Sequence, residues 1–198
     1  TTGNYKNGKE DGYWEEYYDD GQLLSTQNYK KGKPDGLWEF YWEDGQLMSK
    51  RNYKGGKKHG SFEEYHTEGQ LEFRGNYKEG KKHGLVEEYH WNYKLDFRCN
   101  WKDGKENGFS ESYWDNGQLM SKGNYKNGKG EGSWEYYDEE GNLYETWEWK
   151  DGKRIKLEVS NNDLIEKKGV MFKKYSRTPF TGCSVDYYEN GHLKSKEN

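Results

Sequence analysis

Aromatic and polar residues alternate through most of this chain, in a pattern that repeats every 24 residues. Residues 28–47 read N-Y-K-K-G-K-P-D-G-L-W-E-F-Y-W-E-D-G-Q-L, and closely related segments precede and follow them. The first aromatic position recurs at Tyr5, Tyr29, Tyr53, Tyr77, Trp101, Tyr125 and Trp149. A fixed period of this length indicates one small structural unit stacked on copies of itself.

Two turn signals divide each repeat into two strands. The first turns are Asn7-Gly8, Lys31-Gly32, Gly55-Gly56, Glu79-Gly80, Asp103-Gly104, Asn127-Gly128 and Asp151-Gly152, and several of these dipeptides favour tight hairpins. The second turns are Asp20-Gly21, Asp44-Gly45, Glu68-Gly69, Asn116-Gly117 and Glu140-Gly141. We therefore predict an all-β protein whose residues 1–153 form six hairpin repeats, in an elongated, single-layer antiparallel β-meander that makes an open twisted ribbon.

The composition is compatible with a folded β protein. A mean hydropathy of −1.52 and 34% charged residues resemble a disordered chain, but 18% aromatic residues and 26 glycines at fixed offsets do not. The chain contains no alanine, which favours strands over helices. Its net charge of −4 gives no general attraction for nucleic acid, so we expect no nucleic-acid partner.

The recurring rings are expected to form the packing between repeats, because one repeat alone buries too little apolar area to fold. One column holds Trp14, Trp38, Phe62, Val86, Ser110 and Trp134, and another holds tyrosine in six repeats, from Tyr17 to Tyr137. Glycines two residues before the first column, beginning with Gly12, are expected to let a neighbouring ring lie against the backbone.

Residues 154–198 break the period and are predicted to form an irregular β cap or junction that ends in a half repeat. A strand is expected at 155–159 and a short hairpin at 164–174. Both ends of the chain resemble cuts within a longer array, and exposed strand edges predict possible head-to-tail self-association. We find no signal peptide and no apolar run near the ~20 residues that span a bilayer, which leaves cytoplasmic and exported locations open.

The pattern N-Y-K-x-G-K-x-x-G-x-W-E-x-Y…G-Q-L resembles the MORN repeat, in particular its bacterial variant found in YwqK-type antitoxins. The resemblance covers residues 3–153 and the half repeat at 180–195. It implies a hairpin ribbon without catalytic residues, used for contacts with proteins and, in some members, with lipids. No triad, phosphate loop or dinucleotide motif is present, so we expect no enzyme activity and no cofactor.

Charge is predicted to differ between the two long edges of the ribbon. Lysines flank the first turns and include Lys30, Lys54, Lys57, Lys78 and Lys81. Acidic residues are expected on the opposite edge, among them the recurring Glu15, Glu39, Glu63 and Glu87. The charges are explained either by solubility and cross-strand pairing or by binding of an oppositely charged partner.

The fourth repeat departs from the others, because Asn92-Tyr93 replaces the usual Asp-Gly and Val86 replaces tryptophan. Tyrosine tolerates positive φ poorly, so we expect this turn to differ in shape and to expose Trp91 and Tyr93. Exposed rings on a deviant loop suit an interface hot spot, although decay of the repeat is an alternative explanation.

The histidines and cysteines do not predict a metal site. His59 and His83 occupy equivalent positions in successive repeats, and no cysteine or set of carboxylates joins them. Cys99 and Cys183 are far apart in the array, which disfavours a disulfide.

The leading hypothesis is a non-catalytic protein-interaction module, acting as an antitoxin or immunity-type binder of a toxin or effector. One alternative is a membrane-associating scaffold that uses the lysine edge on anionic lipid. Another is an exported surface module that contacts host proteins.

Overall fold

The computed structural model describes residues 1–155, 158–160, 164–167, 170–173, 183–187 and 193–197. Residues 2–155 form one open sheet of 16 antiparallel strands, in which neighbours along the chain are neighbours in space. The predicted all-β meander of hairpin repeats is confirmed. Its strands are β1 Thr2–Lys6, β2 Lys9–Tyr17, β3 Leu23–Lys30, β4 Lys33–Pro34, β5 Gly36–Tyr41, β6 Leu47–Lys54, β7 Lys57–Tyr65, β8 Leu71–Lys78, β9 Lys81–Lys82, β10 Gly84–Tyr89, β11 Leu95–Lys102, β12 Lys105–Tyr113, β13 Leu119–Lys126, β14 Lys129–Tyr137, β15 Leu143–Lys150 and β16 Lys153–Ile155.

The described residues after 155 form five further strands. They are β17 Glu158–Ser160, β18 Leu164–Lys167, β19 Val170–Lys173, β20 Cys183–Tyr187 and β21 Leu193–Glu197. Strands β18 and β19 pair antiparallel where the sequence predicts a hairpin, and β20 pairs with both β17 and β21. The predicted strand at 155–159 and the turn of the half repeat at 188–192 lie partly or wholly outside the described residues.

The first turns are two-residue hairpin loops in which both central residues have positive φ. In the first hairpin, Asn7 has φ 53° and Gly8 has φ 68°, and Lys6 pairs directly with Lys9. All seven first turns share these two signs of φ. This geometry matches the right-handed twist of the strands, so each turn fixes the register of its hairpin.

One face of the sheet carries the aromatic rings that connect repeats. The centroid of the Trp38 ring, on β5, lies 5.1 Å from that of Tyr29 on the paired strand β3 and 5.0 Å from that of Tyr53 on the paired strand β6. Trp14 and Trp134 are buried, and they lie on glycines of the adjacent strands. A Cβ on Gly123, for example, would meet the Trp134 ring at 2.2 Å. Rings therefore stack on rings and on bare backbone, and within residues 1–155 the structure is a single sheet.

The predicted role of the Gly12 column is wrong. Gly12 has φ 94°, and a Cβ there would meet no atom within 4 Å, so no ring occupies the space that glycine leaves. The pairing register shifts nearby, between Gly3 and Tyr5 on the facing strand. Glycine is needed here because the backbone irregularity requires a positive φ that L-residues rarely adopt.

Candidate binding surfaces

The turn at residues 90–94 has the same backbone shape as the turns of the regular repeats. His90 N donates to Lys94 O at 2.8 Å, and Tyr93 N donates to His90 O at 3.0 Å. Tyr93 has φ 68°, in the same left-handed region as its glycine equivalents Gly21, Gly45, Gly69, Gly117 and Gly141. The prediction that this turn differs in shape is wrong, because the hydrogen bonds of the meander impose the usual geometry on a tyrosine.

Both rings of this turn are exposed, as the sequence predicts. Trp91 is 77% exposed and Tyr93 is 65% exposed. The Tyr93 hydroxyl nevertheless has a partner, since it accepts a hydrogen bond from Gln70 Nε2 at 2.8 Å. The turn thus presents two large rings to solvent while one of them remains fixed at its tip.

Hydrogen bonds to the following turn also hold this loop. Asn92 Nδ2 donates to Asp115 O at 2.7 Å, and Lys94 Nζ donates to Asn116 O at 2.7 Å. Within the loop, Lys94 N donates to Asn92 Oδ1 at 3.1 Å. The rings therefore lie on a pre-organised platform, which lowers the entropy lost on binding a partner.

Positive φ at Tyr93 has an energetic cost. A residue with a Cβ in the left-handed region is disfavoured by about 1–2 kcal/mol relative to its usual conformations. The five equivalent turns avoid this cost with glycine. The Tyr93 ring is thus kept at the expense of local stability, and strain of this kind is common at functional sites.

The long edge that carries this turn is acidic. Residues 18–22, 42–46, 66–70, 90–94, 114–118 and 138–142 contain nine Asp or Glu residues and one basic residue, Lys94. The opposite edge contains eighteen Lys or Arg and eight Asp or Glu, within residues 6–11, 30–35, 54–59, 78–83, 102–107, 126–131 and 150–154. The predicted difference in charge between the two edges is therefore present in the turns.

The recurring glutamates do not belong to the acidic edge. Glu39, Glu63 and Glu87 lie inside strands, and each pairs across the sheet with at least one basic residue. Glu15 accepts hydrogen bonds from the hydroxyls of Tyr17 at 2.6 Å and Tyr13 at 3.2 Å. Their predicted location on the acidic edge is wrong, because all four glutamates lie within strands and not in the turns. Their binding role stays a prediction.

Across six repeats, these pairings form a ladder of alternating charge on the face opposite the buried tryptophans. Its members, in order across the sheet, are Glu15, Thr26, Glu39, Lys50, Glu63, Arg74, Glu87, Arg98, Glu111, Lys122, Glu135 and Thr146. Direct ion pairs include Lys50–Glu39 at 3.4 Å and Lys122–Glu135 at 3.0 Å, and Arg98 is hydrogen-bonded to Glu111. This charge-ladder arrangement stabilises the single sheet through cross-strand pairs.

The ladder shifts the pKa values of its own members and of tyrosines that are hydrogen-bonded to them. Burial alone would raise the pKa of Glu111, but hydrogen bonds from Arg98 and Tyr113 outweigh it, so the pKa lies below the ordinary value. Burial raises the pKa of Tyr65 to about 12, and its hydrogen bond to Glu63 acts in the same direction. The Glu111 carboxylate is therefore stabilised in its charged form and the Tyr65 phenol in its neutral form. Both effects stabilise the fold and indicate a structural role.

The predicted basic residues lie where the sequence places them. Lys54 pairs directly with Lys57, and Lys78 with Lys81, across the first turns. Lys30 occupies the same position in its own hairpin, and all five side chains are exposed. Directly opposed like charges destabilise a hairpin, and the Lys57 ammonium is also paired with Glu79 of the following turn at 3.3 Å. Binding by these lysines stays a prediction.

The four histidines within residues 1–155 face carboxylates of the same or following repeat. His90 Nδ1 lies 3.2 Å from Asp115 Oδ1, and His83 Nδ1 lies 3.6 Å from Asp103 Oδ1. Within the described residues, no group of three or more His, Cys, Asp or Glu side chains has the geometry to hold a metal ion. Cys99 is a buried free thiol. In the same part of the chain, no helix is long and apolar enough to cross a membrane.

A cavity that the sequence did not predict lies on the aromatic face near the end of the array. It is a partly open cleft of about 480 Å³, lined by Tyr125, Trp134, Tyr136 and Trp149. Asp151 and Lys129 also lie in its wall. Its floor includes the buried Gly130. The sequence does contain one sign of this cavity, because Gly130 is the only glycine at its position in the repeat. The equivalent residues are Glu10, Pro34, Lys58, Lys82, Glu106 and Arg154.

The open ribbon, its exposed turns and its two charged edges define a repeat protein built to present long surfaces. Six stretches match the MORN repeat variant, at residues 10–31, 34–54, 58–79, 107–127, 130–151 and 180–198. They cover more than half of the sequence, and the chain belongs to the MORN repeat variant family. Repeats of this kind are generally protein- or membrane-binding modules. The gap at residues 80–106 contains the Trp91–Tyr93 turn.

Other comparisons add little. No curated protein gives a significant sequence match. One similar solved structure is that of the S. aureus TarM mutant in complex with fondaparinux, alpha-GlcNAc-glycerol and UDP, at 13% identity and a TM-score of 0.32. The similarity covers 48% of this chain and 19% of that one.

Proposed function

We propose that this chain is a non-catalytic module that binds another protein through the turn formed by residues 90–94. The observation that carries the proposal is the pair of exposed rings, Trp91 and Tyr93, held on a hydrogen-bonded loop despite an unfavourable φ at Tyr93. Rigid aromatic anchors of this kind dominate the energetics of protein interfaces.

The surroundings suggest the chemistry of the partner. The acidic residues on both sides of the turn favour a partner whose contact surface is basic around an apolar pocket for the rings. Such electrostatic attraction raises the association rate and weakens as salt is added. A toxin or effector is the specific partner class that we propose, and an exported module acting on host proteins is the variant of this function with a different location.

The test is retention of a protein from the source cells on the immobilised full chain. We expect wild type to retain a partner that a Trp91→Ala/Tyr93→Gly variant loses. Tyr144→Ala is the matched control, because Tyr144 is 61% exposed elsewhere on the sheet. Equal retention by all three chains would show that the turn is not the binding site.

A second candidate function is association with anionic membranes through the lysine edge. The specific observation in its favour is the set of exposed, directly opposed lysines along one edge, such as Lys54 and Lys57. Flotation with anionic vesicles is expected to be lost at high salt and reduced in a Lys54→Glu/Lys57→Glu variant. Neutral vesicles provide the control. Flotation that is unchanged by high salt and equal for the variant and wild type would reject this function.

A further inference from the structure

The cavity at Gly130 occupies a place that other repeats fill with their own side chains. Lys58 is the equivalent of Gly130 in the third repeat, and its ammonium lies 4.5 Å from the ring centroid of Phe62 and 5.1 Å from that of Tyr77. Burial in this position lowers the pKa of Lys58. In the next repeat, the ammonium of Lys82 lies 4.8 Å from the centroid of Trp101.

The backbone confirms that these positions are equivalent. Lys58 O accepts a hydrogen bond from Gly80 N at 2.8 Å, and Gly130 O accepts one from Gly152 N at 3.0 Å. The rings that correspond to Phe62 and Tyr77 are Trp134 and Trp149, whose centroids lie 6.4 Å apart. Tryptophan is the ring that attracts cations best. The sixth repeat therefore keeps a stronger version of the aromatic wall, and at Gly130 it lacks the lysine that the third and fourth repeats have at this position.

Negative charge lies beside the empty position. Asp151 lines the cavity, and Glu106 Oε2 lies 3.7 Å from the point where a Cβ on Gly128 would sit. Lys129 also lies in the wall, and its side chain is exposed, as is that of Asp151. Arg154 packs against rings of the same cluster, with its guanidinium carbon 4.5 Å from the Trp147 centroid, 5.5 Å from that of Trp149 and 5.8 Å from that of Tyr136. The rings and carboxylates together suit a compact cation on a flexible apolar stem.

We propose that this cavity binds a lysine side chain of a partner protein, which takes the place that Lys58 takes within its own repeat. The stem would lie along Tyr125 and the ammonium over Trp134 and Trp149. This site is distinct from the Trp91–Tyr93 turn, and its test requires no knowledge of the partner.

The experiment titrates the full chain with N-acetyl-lysine N-methylamide, and follows the indole N–H signals of Trp134 and Trp149 by NMR. N-acetyl-norleucine N-methylamide, which keeps the stem and lacks the charge, is the control probe. We expect the lysine probe to shift both signals with a dissociation constant on the order of 1–10 mM, and the norleucine probe to bind at least about tenfold more weakly.

Two variants complete the test. Gly130→Lys supplies the missing cation from within the chain, and we expect it to weaken binding of the lysine probe at least about tenfold. Gly130→Ala is its matched control, because it shares the contact of a new Cβ with the Trp149 ring at 3.3 Å but leaves the cavity open. Equal binding of the two probes, no shift of either indole signal, or undiminished binding by a folded Gly130→Lys chain would each overturn the proposal.

Discussion

Replacing Tyr93 with glycine is expected to stabilise the protein while removing half of its proposed binding site. Tyr93 has φ 68°, and relief of this conformation is worth about 1–2 kcal/mol. The variant also loses the hydrogen bond from Gln70, which contributes about 0.5 kcal/mol at an exposed site. The net gain is about 0.5–1.5 kcal/mol, equivalent to a rise of roughly 1–6 °C in Tm for a chain of this size.

The assay is thermal unfolding followed by circular dichroism, with three comparison variants. Tyr93→Phe removes only the hydrogen bond to Gln70 and is expected to lower Tm slightly. Tyr93→Ala keeps the strained φ and is expected to gain nothing. Gly21→Tyr is the reciprocal change, because Gly21 has φ 89° and open space where a Cβ would be placed.

We expect Gly21→Tyr to cost about 1–2 kcal/mol, the amount that relief of φ at Tyr93 should yield. The reasoning is refuted if Tyr93→Gly is no more stable than wild type and Gly21→Tyr is neutral. In that case the turn accepts tyrosine without strain, and its rings provide no sign of selection for binding.

Three further predictions concern ionisation and the core. The folded-state pKa of Glu111 is lowered, so its stabilisation should be complete above the ordinary pKa of 4.5 and lost as pH falls below it. Urea unfolding at several pH values should therefore show a smaller loss of stability in acid for Glu111→Gln. The pKa of Tyr65 is raised to about 12, so its stabilisation is complete below pH 10 and lost as pH rises toward 12. Phenolate absorbance should show one group fewer titrating near pH 12 in Tyr65→Phe, and an unchanged curve there would contradict the assignment. Burial raises the pKa of Cys99 to about 11, so in a Cys183→Ser background a thiol reagent should label the chain only on unfolding. Rapid labelling of the native protein would show that the thiol is accessible.

Local signals in the sequence were sufficient to predict the ribbon. Several turn dipeptides, such as Asn7-Gly8, favour positive φ, and the structure has positive φ at both central residues of every first turn. The charges of the turns follow from the meander, because all first turns lie on one edge. These features depend on neighbouring residues, which a 24-residue period displays directly.

Features that depend on contacts between repeats were harder to predict. Glu87 looks like an exposed acid in sequence, but it is 8% exposed and paired with arginines of both flanking strands. The shape of the turn at Tyr93 was predicted from the preference of tyrosine for negative φ. The hydrogen bonds of the meander instead impose the φ of the equivalent glycine turns. The Gly130 cavity depends on a missing side chain, which becomes visible only when the rings around it are placed.

The charge ladder has a consequence for how such an array can change in length. Each repeat contributes one acidic residue to the ladder, and each interior repeat also contributes one basic residue. The alternation of acidic and basic residues is therefore kept when any whole interior unit of 24 residues is lost or gained. Excision of a partial unit would instead bring like charges together and shift the glycines away from the turns that need them. At two positions near the ends of the ladder, Thr26 and Thr146 replace the basic residue. Duplication and deletion of complete hairpins is thus the path of change that this sheet tolerates, and a binding loop such as residues 90–94 can diverge while its neighbours preserve the frame.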